Sequence, residues 1–520
     1  MASGRGNACF SPCGPSPEAF ILALGAVRAG GSIVFIDPGI GPTLFRDRTQ
    51  LAGPRWAAAE SLLYSLSARG PLRPLARRRG LLLPNYGAMD VRHYYAGPWL
   101  PGVPWGATSL KRLAAGGAVR SADAAVGDSP KTAPHQPWLL PTSDPEQEAV
   151  IIFTSGTTGD PRGVVHSGGS LAAAFGQLSE RCTFAPGDRI HSEQLMMGLP
   201  ALVAGAHWTM PAYGFSAHVD PLKLAAELGP AYGEGHTIRG ATHLFLVPSQ
   251  LAPILDAVEA GSIQLPSTLQ TIMLGAAPVL APFLKRAMGV LPGVDFKLIY
   301  GMTEMLPIAI ADGAEKLAFA EGSQAEFTTP DGSGEGDFLG APLPAVSIRL
   351  TEHNELVVSG ANMCRSYLGQ GPLKEHWTGD LVRLDHGGPD GQARLVMLGR
   401  KKDMIIRGKT NIYPALYEPL LAGIEGVAQA VMVGLTDQIG DEAVWLAVAA
   451  AAGQDARSLE ARLRRELPHL IDQTALPDRI VLVDNIPTSG RHRKPDRAAL
   501  RRLLAAESPT PAGAFSGEPQ

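Results

Sequence analysis

A stretch near residue 150, IIFTSGTTGDPRG, groups polar side chains that could do chemistry. In it an apolar run is followed at once by hydroxyl side chains and glycines: Thr154, Ser155, Gly156, Thr157, Thr158 and Gly159. Glycines let successive backbone N–H groups turn toward one anion, and hydroxyls add donors at little cost in desolvation. Arg162 supplies a bidentate guanidinium for a terminal phosphate. The stretch therefore predicts a polyphosphate-binding loop.

Two common phosphate-binding patterns do not fit this stretch. After Gly156 the chain continues to Asp160 and Pro161, whereas a GxxxxGK[ST] loop would bring glycine, lysine and a hydroxyl residue. The stretch does not match the GxGxxG pattern of dinucleotide-binding loops either. A hairpin of turn residues without a ligand would explain the glycines but not the hydroxyls among them. A different class of phosphate site is indicated.

The loop follows a candidate strand, and similar candidates recur further along the chain. They are AVIIFTS (149–155), LFLVPSQ (244–250), LQTIMLG (269–275) and DFKLIYG (295–301). Helical patterns lie between them, so repeated βα units in a mostly parallel, covered sheet are expected. Upstream, residues 16–39 are predicted to form a helix and then the buried strand SIVFID. Residues 50–148 give no clear assignment.

The pattern of predicted strands, turns and helices changes at two points in the rest of the chain. From HNELVVSG (353–360) onward, short strands and glycine turns indicate a small β-rich subdomain. Beyond it, two apolar strands and a helix predict a compact α+β module of about 110 residues. Ser458 is the expected N-cap of that helix, and one apolar face is expected to carry Leu459, Leu463, Leu467 and Leu470.

The predicted fold class is therefore α/β, with two domains. Residues 1–399 are expected to form a large N-terminal domain of covered, mostly parallel sheets plus the small β-rich subdomain. Residues 400–506 are expected to form a small mobile α+β domain. Residues 507–520, rich in Pro, Ser and Gly, are expected to be a disordered tail.

Composition and charge exclude several classes of partner. Forty-five Lys and Arg residues against 49 Asp and Glu residues give a net charge of −4, which offers no electrostatic reason to bind nucleic acid or an anionic membrane. The four cysteines form no CxxC pair and no zinc-ligand cluster, and no GxSxG or HExxH motif occurs. No signal-peptide pattern or membrane-spanning apolar run is present. We expect a soluble, cytoplasmic protein.

The phosphate loop resembles the TSGTTGxPKG signature of the acyl-adenylate-forming superfamily, the AMP-dependent synthetases and ligases that include acyl-CoA ligases. Only Arg162 differs, since the family has lysine there. Two further motifs follow in the family's order: LGAAP (274–278) resembles its adenine-contacting turn, and YGMTE (300–304) its second signature. The resemblance implies adenine contacts from Gly275, Ala276, Ala277, Tyr300 and Gly301. It also implies that Thr303 and Glu304 hold phosphate and Mg²⁺, with Glu304 as the metal ligand.

Three segments nearer the C-terminus extend the resemblance to most of the chain, 16–504. HWTGDLVRL (376–384) is similar to the segment whose aspartate binds both ribose hydroxyls, which implies Asp380. GRKKDMIIRGKTNIYP (399–414) is similar to the family's domain junction, which implies Arg400 near the ribose and Lys402 at the hinge. IPTSGRHRKPDRAALR (486–501) stands where the family has PxxxxGKxxR. Aligning its KPDRAAL implies Lys494 as the catalytic lysine, with Arg491 as the alternative.

The chain departs from the family pattern at two more points. A glutamate usually follows the junction proline by two residues, but Leu416 stands there and Glu418 comes two residues later. Family members also carry several dozen residues before the helix predicted from residue 16, so we expect either that the first strands of the family are missing or that the assigned start codon is too late.

The resemblance implies a reaction in two halves. A carboxylate attacks the α-phosphate of MgATP to give acyl-AMP and pyrophosphate, and a thiol, CoA or a carrier thiol, then displaces AMP. Apolar segments at 192–210 and 241–248 favour a fatty or other apolar acid. Two alternatives remain open, a β-lactone synthetase that uses no CoA and a non-catalytic nucleotide-binding relative.

Overall fold

The computed structural model describes most of the chain. The described ranges are 7–11, 17–35, 42–67, 70–78, 83–115, 144–154, 162–211, 220–233, 236–323, 336–386, 391–407, 410–436, 442–471, 475–489 and 494–507. The centre of the predicted phosphate loop (155–161), the alternative cation Arg491 and the predicted tail after 507 lie outside these ranges.

The first part of the chain supplies seven strands of an eight-stranded sheet. Its strands are β1 Asn7–Ser11, β2 Ser32–Phe35, β3 Pro54–Glu60, β4 Arg92–Ala96, β5 Thr108–Ser109, β6 Glu148–Thr154 and β7 Arg162–Ser167. Its helices are α1 Pro17–Arg28, α2 Pro42–Ala52, α3 Ser61–Leu66, α4 Arg73–Arg78 and α5 Leu110–Ala115, with a 3₁₀ turn at Tyr86–Ala88. Strands β1 to β6 pair in parallel, and β6 and β7 are antiparallel.

The predicted helix and strand at 16–39 are confirmed as α1 and β2. Strand β1 was not predicted, and it pairs with both β2 and β3 in the middle of the sheet. Within the described part of residues 50–148, which carry no clear pattern, lie three further strands, β3, β4 and β5. In β3 the buried residues are Ala57, Ala58 and Ala59. Alanine has low strand propensity, so packing between neighbouring strands decides this element.

A second sheet has six strands in the order β15-β14-β13-β12-β8-β9. The strands of this region are β8 Arg189–His191, β9 His207–Thr209, β10 Ala231–Gly233, β11 His236–Ile238, β12 His243–Leu246, β13 Thr271–Gly275, β14 Asp295–Met302 and β15 Met305–Asp312. The helices are α6 Gly168–Cys182, α7 Leu195–Val203, α8 Pro221–Ala226, α9 Pro248–Glu259, α10 Ala281–Val290 and α11 Gly313–Ser323. Only β14 and β15 pair antiparallel in this sheet, while β10 and β11 form a separate hairpin. The predicted βα pattern is confirmed.

A third, antiparallel sheet follows, with the strand order β16-β21-β20-β18-β17. Its region comprises β16 Asp337–Gly340, β17 Val346–Leu350, β18 Glu355–Gly360, β19 Ser366–Tyr367, β20 His376–Asp385 and β21 Arg394–Arg400. This is the predicted β-rich part. The two-residue strand β19 leaves it and joins the first sheet beside β7.

The last region is an α+β module. After a 3₁₀ turn at Lys401–Asp403 it contains β22 Ile405–Arg407, β23 Thr410–Ile412, α12 Pro414–Ala422, β24 Val427–Thr436, β25 Glu442–Ala450, α13 Ala456–Leu470, β26 Arg479–Val483, β27 Thr488–Ser489, β28 Lys494–Pro495 and α14 Arg497–Glu507. Its two buried apolar clusters consist of residues from 405 onward. The position of the domain boundary at 399/400 stays a prediction.

One detail predicted for the leucine-rich helix, the Ser458 N-cap, is wrong. The N-cap of α13 is Asp455, whose carboxylate accepts hydrogen bonds from the backbone N and Oγ of Ser458. An aspartate binds the free N–H groups of the first turn as well as serine does, and Ser458 lies three residues inside the helix. Leu470 is 37% exposed at the end of the helix, while the other three leucines of the face are buried.

The fold class is thus α/β with mostly parallel sheets, a β-rich subdomain and an α+β C-terminal module. Among the described residues, no helix is long and apolar enough to cross a membrane.

Candidate active site

The predicted metal ligand lies in the tight turn between β14 and β15, and its main chain is held from two sides. His166 of β7 brings Nε2 within 2.7 Å of the carbonyl O of Thr303. Because a carbonyl only accepts, Nε2 carries the proton, and Nδ1 lies 3.2 Å from the Oγ of Ser170. The backbone N of Cys364 donates to the carbonyl O of Glu304 at 2.7 Å. The turn is therefore fixed to strand β7 and to the segment before β19.

The carboxylate of Glu304 also has a fixed partner. The hydroxyl of Tyr367 donates to Glu304 Oε1 at 2.9 Å. Burial first, and then the charge of Glu304, raises the pKa of Tyr367 above its ordinary value, so the hydroxyl remains a donor at neutral pH.

A buried carboxylate, Asp380 on β20, forms the predicted ribose end of the site. The hydroxyl of Tyr300 donates to its Oδ2 at 2.7 Å, and Arg400 Nε lies 2.9 Å from its Oδ1. The Arg400 contact is a close ion pair that lacks hydrogen-bond alignment, so among the described residues Oδ1 accepts no hydrogen bond. A buried carboxylate oxygen in this state is suited to accept from a ligand hydroxyl.

Opposing influences set the charge of this group. Burial raises the pKa of Asp380, whereas Arg400, the Tyr300 hydrogen bond, Lys494 and Lys402 lower it. Burial and the neighbouring Asp380 raise the pKa of Tyr300 well above its ordinary value. Tyr300 is therefore a neutral donor.

The predicted catalytic lysine comes to the same carboxylate from the C-terminal module. Lys494 lies on β28, in a short hairpin with β27. Partial burial, followed by the charge of Arg400, lowers the pKa of Lys494, and Asp380 opposes this shift. Lys402 adds to the lowering. The charges of Arg400, Lys402 and Lys494 thus all favour the ionised form of Asp380.

The predicted adenine turn closes strand β13. A Cβ at Gly275 would lie 3.2 Å from the carbonyl O of Ile299, and Ala276 follows in a left-handed conformation with φ 62°. That conformation is uncommon for alanine and sharpens the turn. At Gly301, a Cβ would lie 2.7 Å from Leu306 Cδ1, so this strand end has no room for a side chain.

The structure describes only the two ends of the phosphate loop. Thr154 and Arg162 are paired across β6 and β7, so the loop leaves and re-enters the sheet at one point. The guanidinium of Arg162 lies over the ring of Tyr367, 5.8 Å from its centroid. The loop residues Ser155, Gly156, Thr157, Thr158 and Gly159 lie outside the described residues.

The sequence and the fold have counterparts among known proteins. A family model described as AMP-binding enzyme matches residues 11–368. The chain belongs to this family.

Among curated relatives, this AMP-binding enzyme is 29% identical over 395 residues to an indoleacetate–CoA ligase of Aromatoleum aromaticum, covering 71% of this chain and 69% of that protein. It is 28% identical over 469 residues to a feruloyl-CoA synthase of an Amycolatopsis species, covering 85% and 86%. Together with the family match, these relatives identify the chain as an AMP-forming ligase.

Solved structures share the fold. The amide bond synthetase McbA from Marinactinospora thermotolerans superposes with a TM-score of 0.65 at 22% identity, covering 97% of this chain and 90% of that one. ATP-bound MatB from Rhodopseudomonas palustris gives 0.66 at 20% identity, with the same coverage. Likeness at this identity shows the fold alone.

Three residues near the site were not found from the sequence. Tyr367 and His166 belong to no recognised motif, and only strand pairing brings them to the turn at Thr303. His376 begins the segment that carries Asp380, but the sequence gave it no role. His376 lies edge-on to Tyr367, with ring centroids 6.4 Å apart. Burial lowers its pKa, and Arg162 adds to this, while Glu304 and Asp380 oppose it.

Glu418, which stands two residues later than the glutamate of the family's junction pattern, contacts other residues of the C-terminal module. Glu418 on α12 pairs with Arg497 Nη2 at 2.6 Å and accepts from the backbone N of Met432 at 2.8 Å. Burial raises its pKa to about 7, and Arg497 opposes this. Glu418 therefore belongs to the interior of the C-terminal module.

Proposed function

We propose that this enzyme activates an apolar carboxylic acid with MgATP and transfers the acyl group to CoA. The observation that carries the proposal is that Tyr300 and Arg400 contact the buried carboxylate of Asp380 and the charge of Lys494 acts on it, while Tyr300 lies on β14, the strand that leads into the Glu304 turn. The Asp380 end of the site suits a ribose, and the Glu304 end suits a metal-bound phosphate chain.

Residue roles follow from this geometry and from the family resemblance. Asp380 would accept from the ribose hydroxyls through Oδ1, which has no other hydrogen bond among the described residues. Residues 154–159 and Arg162 would hold the β- and γ-phosphates. Residues 275–277 would contact adenine together with Tyr300 and Gly301, and Thr303 would contact phosphate.

Glu304 fits the role of a Mg²⁺ ligand. Magnesium is commonly bound by one or two carboxylates together with substrate phosphates and water. Glu304 Oε1 accepts from Tyr367, which leaves Oε2 for the metal. Among the described residues no group of three acidic, histidine or cysteine side chains could hold a metal, so the expected site is one shared with the nucleotide. When bound, Mg²⁺ would neutralise charge on the phosphates.

In the first half-reaction a carboxylate oxygen attacks the α-phosphorus, and the bond to the bridging oxygen of pyrophosphate breaks. Both partners are anions, so charge neutralisation by Lys494 would supply much of the rate. No general base is needed because the acid is already ionised. In the second half, sulfur attacks the acyl carbon, AMP departs with the electron pair, and the thiol proton is released.

The segment around α7, which we expect near the acyl group, is apolar and closely packed. Trp208 packs so closely on α7 that a Cβ at Gly198 would lie 2.0 Å from its ring, and its Nε1 donates to the carbonyl O of Ser192 at 2.8 Å. Met197 is buried beside this contact. The relatives named for aryl acids, and a medium/long-chain-fatty-acid–CoA ligase at 29% identity, favour an aryl or fatty acid.

The test is a product analysis with a panel of aryl, fatty and β-hydroxy fatty acids. Purified full-length enzyme is incubated with MgATP and each acid, with and without CoA, and products are identified by mass spectrometry. We expect acyl-CoA and AMP with at least one apolar acid. Lactone formed from a β-hydroxy acid without CoA, and no acyl-CoA, would contradict CoA as the acceptor. ATP binding without turnover of any acid would favour a non-catalytic relative.

A further inference from the structure

Tyr367 links the two halves of the phosphate end of the site. Its hydroxyl donates to Glu304 Oε1 at 2.9 Å, and its ring lies under the guanidinium of Arg162 at 5.8 Å. One side chain thus contacts both the carboxylate proposed to bind the metal and the cation proposed to bind the terminal phosphate.

The position of this tyrosine is fixed by its strand. Tyr367 pairs with Val164 of β7, and the backbone N of Leu368 donates to the carbonyl O of Gly163 at 2.7 Å. A Cβ at Gly163 would lie 3.1 Å from Leu368 Cβ, so the two strands approach closely there. The strand that carries Arg162 out of the phosphate loop therefore sets where the tyrosine hydroxyl lies.

The main chain of the acidic turn has its own restraints. His166 binds the carbonyl O of Thr303 at 2.7 Å, and the backbone N of Cys364 binds that of Glu304 at 2.7 Å. These contacts hold the backbone of the turn but leave the side-chain torsions of Glu304 free. Among the described residues, it is the Tyr367 hydroxyl that donates a hydrogen bond to this carboxylate.

We propose that Tyr367 is a positioning residue for Glu304: its hydroxyl fixes the carboxylate rotamer so that Oε2 faces the metal of MgATP. The inference rests on the proposed function. Hydrogen-bonded partners of metal ligands orient those ligands, and their loss commonly costs about 10- to 100-fold in metal affinity. Because β19 pairs with β7, the Tyr367–Glu304 hydrogen bond also holds the Glu304 carboxylate at a fixed position relative to Arg162.

The test compares nucleotide binding with and without magnesium. Tyr367→Phe removes the hydroxyl and keeps the ring beneath Arg162. Tyr95→Phe on β4 is the matched control, because it removes a hydroxyl from a half-buried tyrosine on another strand of the same sheet. ATP dissociation constants are measured by calorimetry on the full-length proteins, in Mg²⁺ and in EDTA, alongside melting temperatures.

We expect Tyr367→Phe to weaken ATP binding in Mg²⁺ by about tenfold or more, and to leave binding in EDTA within about twofold of wild type. Tyr95→Phe should change neither constant. In a Glu304→Gln background, Tyr367→Phe should cause no further change in the ratio of the ATP dissociation constants measured in EDTA and in Mg²⁺.

Other outcomes would overturn the inference. An unchanged magnesium dependence in Tyr367→Phe would do so, as would equal weakening in Mg²⁺ and EDTA with a lowered melting temperature, which marks a purely structural role. Full additivity with Glu304→Gln would also contradict it. A wild-type enzyme whose ATP binding does not respond to Mg²⁺ would overturn the proposed function itself, and this result is distinct from the others.

Discussion

At the scale of single residues, the site depends on a carboxylate that burial and charge pull in opposite directions. Asp380 is fully buried, yet the cations Arg400, Lys402 and Lys494 all act on it. A buried anion is costly unless cations compensate it. This attraction provides a reason for the lysine of the C-terminal module to lie at the ribose end. The choice of Lys494 over Arg491 as the catalytic cation stays a prediction, because Arg491 lies outside the described residues.

Replacing Lys494 by glutamine should lower the rate of carboxylate-dependent pyrophosphate release by about 100-fold or more. The expected size is that of losing one electrostatic contact to a developing charge. Pre-steady-state pyrophosphate release is the measurement, and Arg491→Gln is the matched control.

If Arg491→Gln were the slower of the two variants, the alignment that selects Lys494 would be wrong. A loss confined to the Michaelis constant for ATP, with an unchanged maximal rate, would instead assign Lys494 to ground-state binding.

The sequence was most informative for residues in contiguous motifs. Asp380, Arg400 and Tyr300 could be named because each lies in a run whose local pattern is similar to a family signature. Tyr367 and His166 could not, because their contacts with the Thr303 turn arise from the pairing of β19 with β7. Such long-range pairing leaves no local pattern.

At the scale of elements, packing overrode local preference in several places. Strand β3 is built on three buried alanines, and β8, with three residues, is too short for a periodic signal. Conversely, strands β12, β13 and β14 were predicted from the sequence, because a strand covered on both faces consists of consecutive apolar residues. Element type was therefore predictable where burial is two-sided.

Strand β8 carries a buried histidine whose ionisation should affect stability. His191 is 1% exposed, and burial, followed by the nearby Arg189, lowers its pKa to about 4. Glu227 Oε2 lies 3.5 Å from His191 Nε2, but burial and Arg189 outweigh it. The imidazole is thus neutral in the folded protein at neutral pH.

Since the unfolded chain takes up this proton near the ordinary histidine pKa of about 6.5, stability should be full above that pH and fall as the pH drops toward about 4. Between pH 7.5 and 5.0 the wild-type free energy of unfolding should fall by about 2 kcal/mol more than that of His191→Gln. Urea unfolding at the two pH values measures this. His207→Gln, at an exposed histidine on β9, is the control and should behave as wild type. Equal pH dependence in His191→Gln and wild type would contradict the prediction.

At the scale of the whole molecule, the turn at Lys401–Asp403 joins the N-terminal sheets to the C-terminal module. Lys401 Nζ donates to Glu355 Oε2 of β18 at 2.8 Å, and Asp403 Oδ1 lies 3.6 Å from Arg497 Nε of α14. Lys402 therefore lies between one residue anchored to each side. The family resemblance alone suggested a hinge there, since a local sequence does not reveal which side chains hold each side.

Lys402→Pro should restrict rotation about this residue without removing the anchors. Because Lys402 also adds charge near Asp380, Lys402→Ala is the matched control for loss of charge. We expect the two variants to release pyrophosphate at rates within about twofold of each other, while acyl transfer to CoA is slower by about tenfold or more in Lys402→Pro. Single-turnover measurements of each half-reaction test this. Equal transfer rates in the two variants would rule out a rotation at this position.

The central claim is that the groups meeting around Asp380 and Glu304 form acyl-AMP from a carboxylate and MgATP. Isotope exchange between labelled pyrophosphate and ATP, in the absence of CoA, tests it most directly because exchange requires a reversible first half-reaction. The proposed mechanism predicts exchange that depends on an apolar carboxylic acid and on Mg²⁺, and that is lost in Lys494→Gln. ATP binding with no acid-dependent exchange for any acid of an aryl and fatty panel would contradict it.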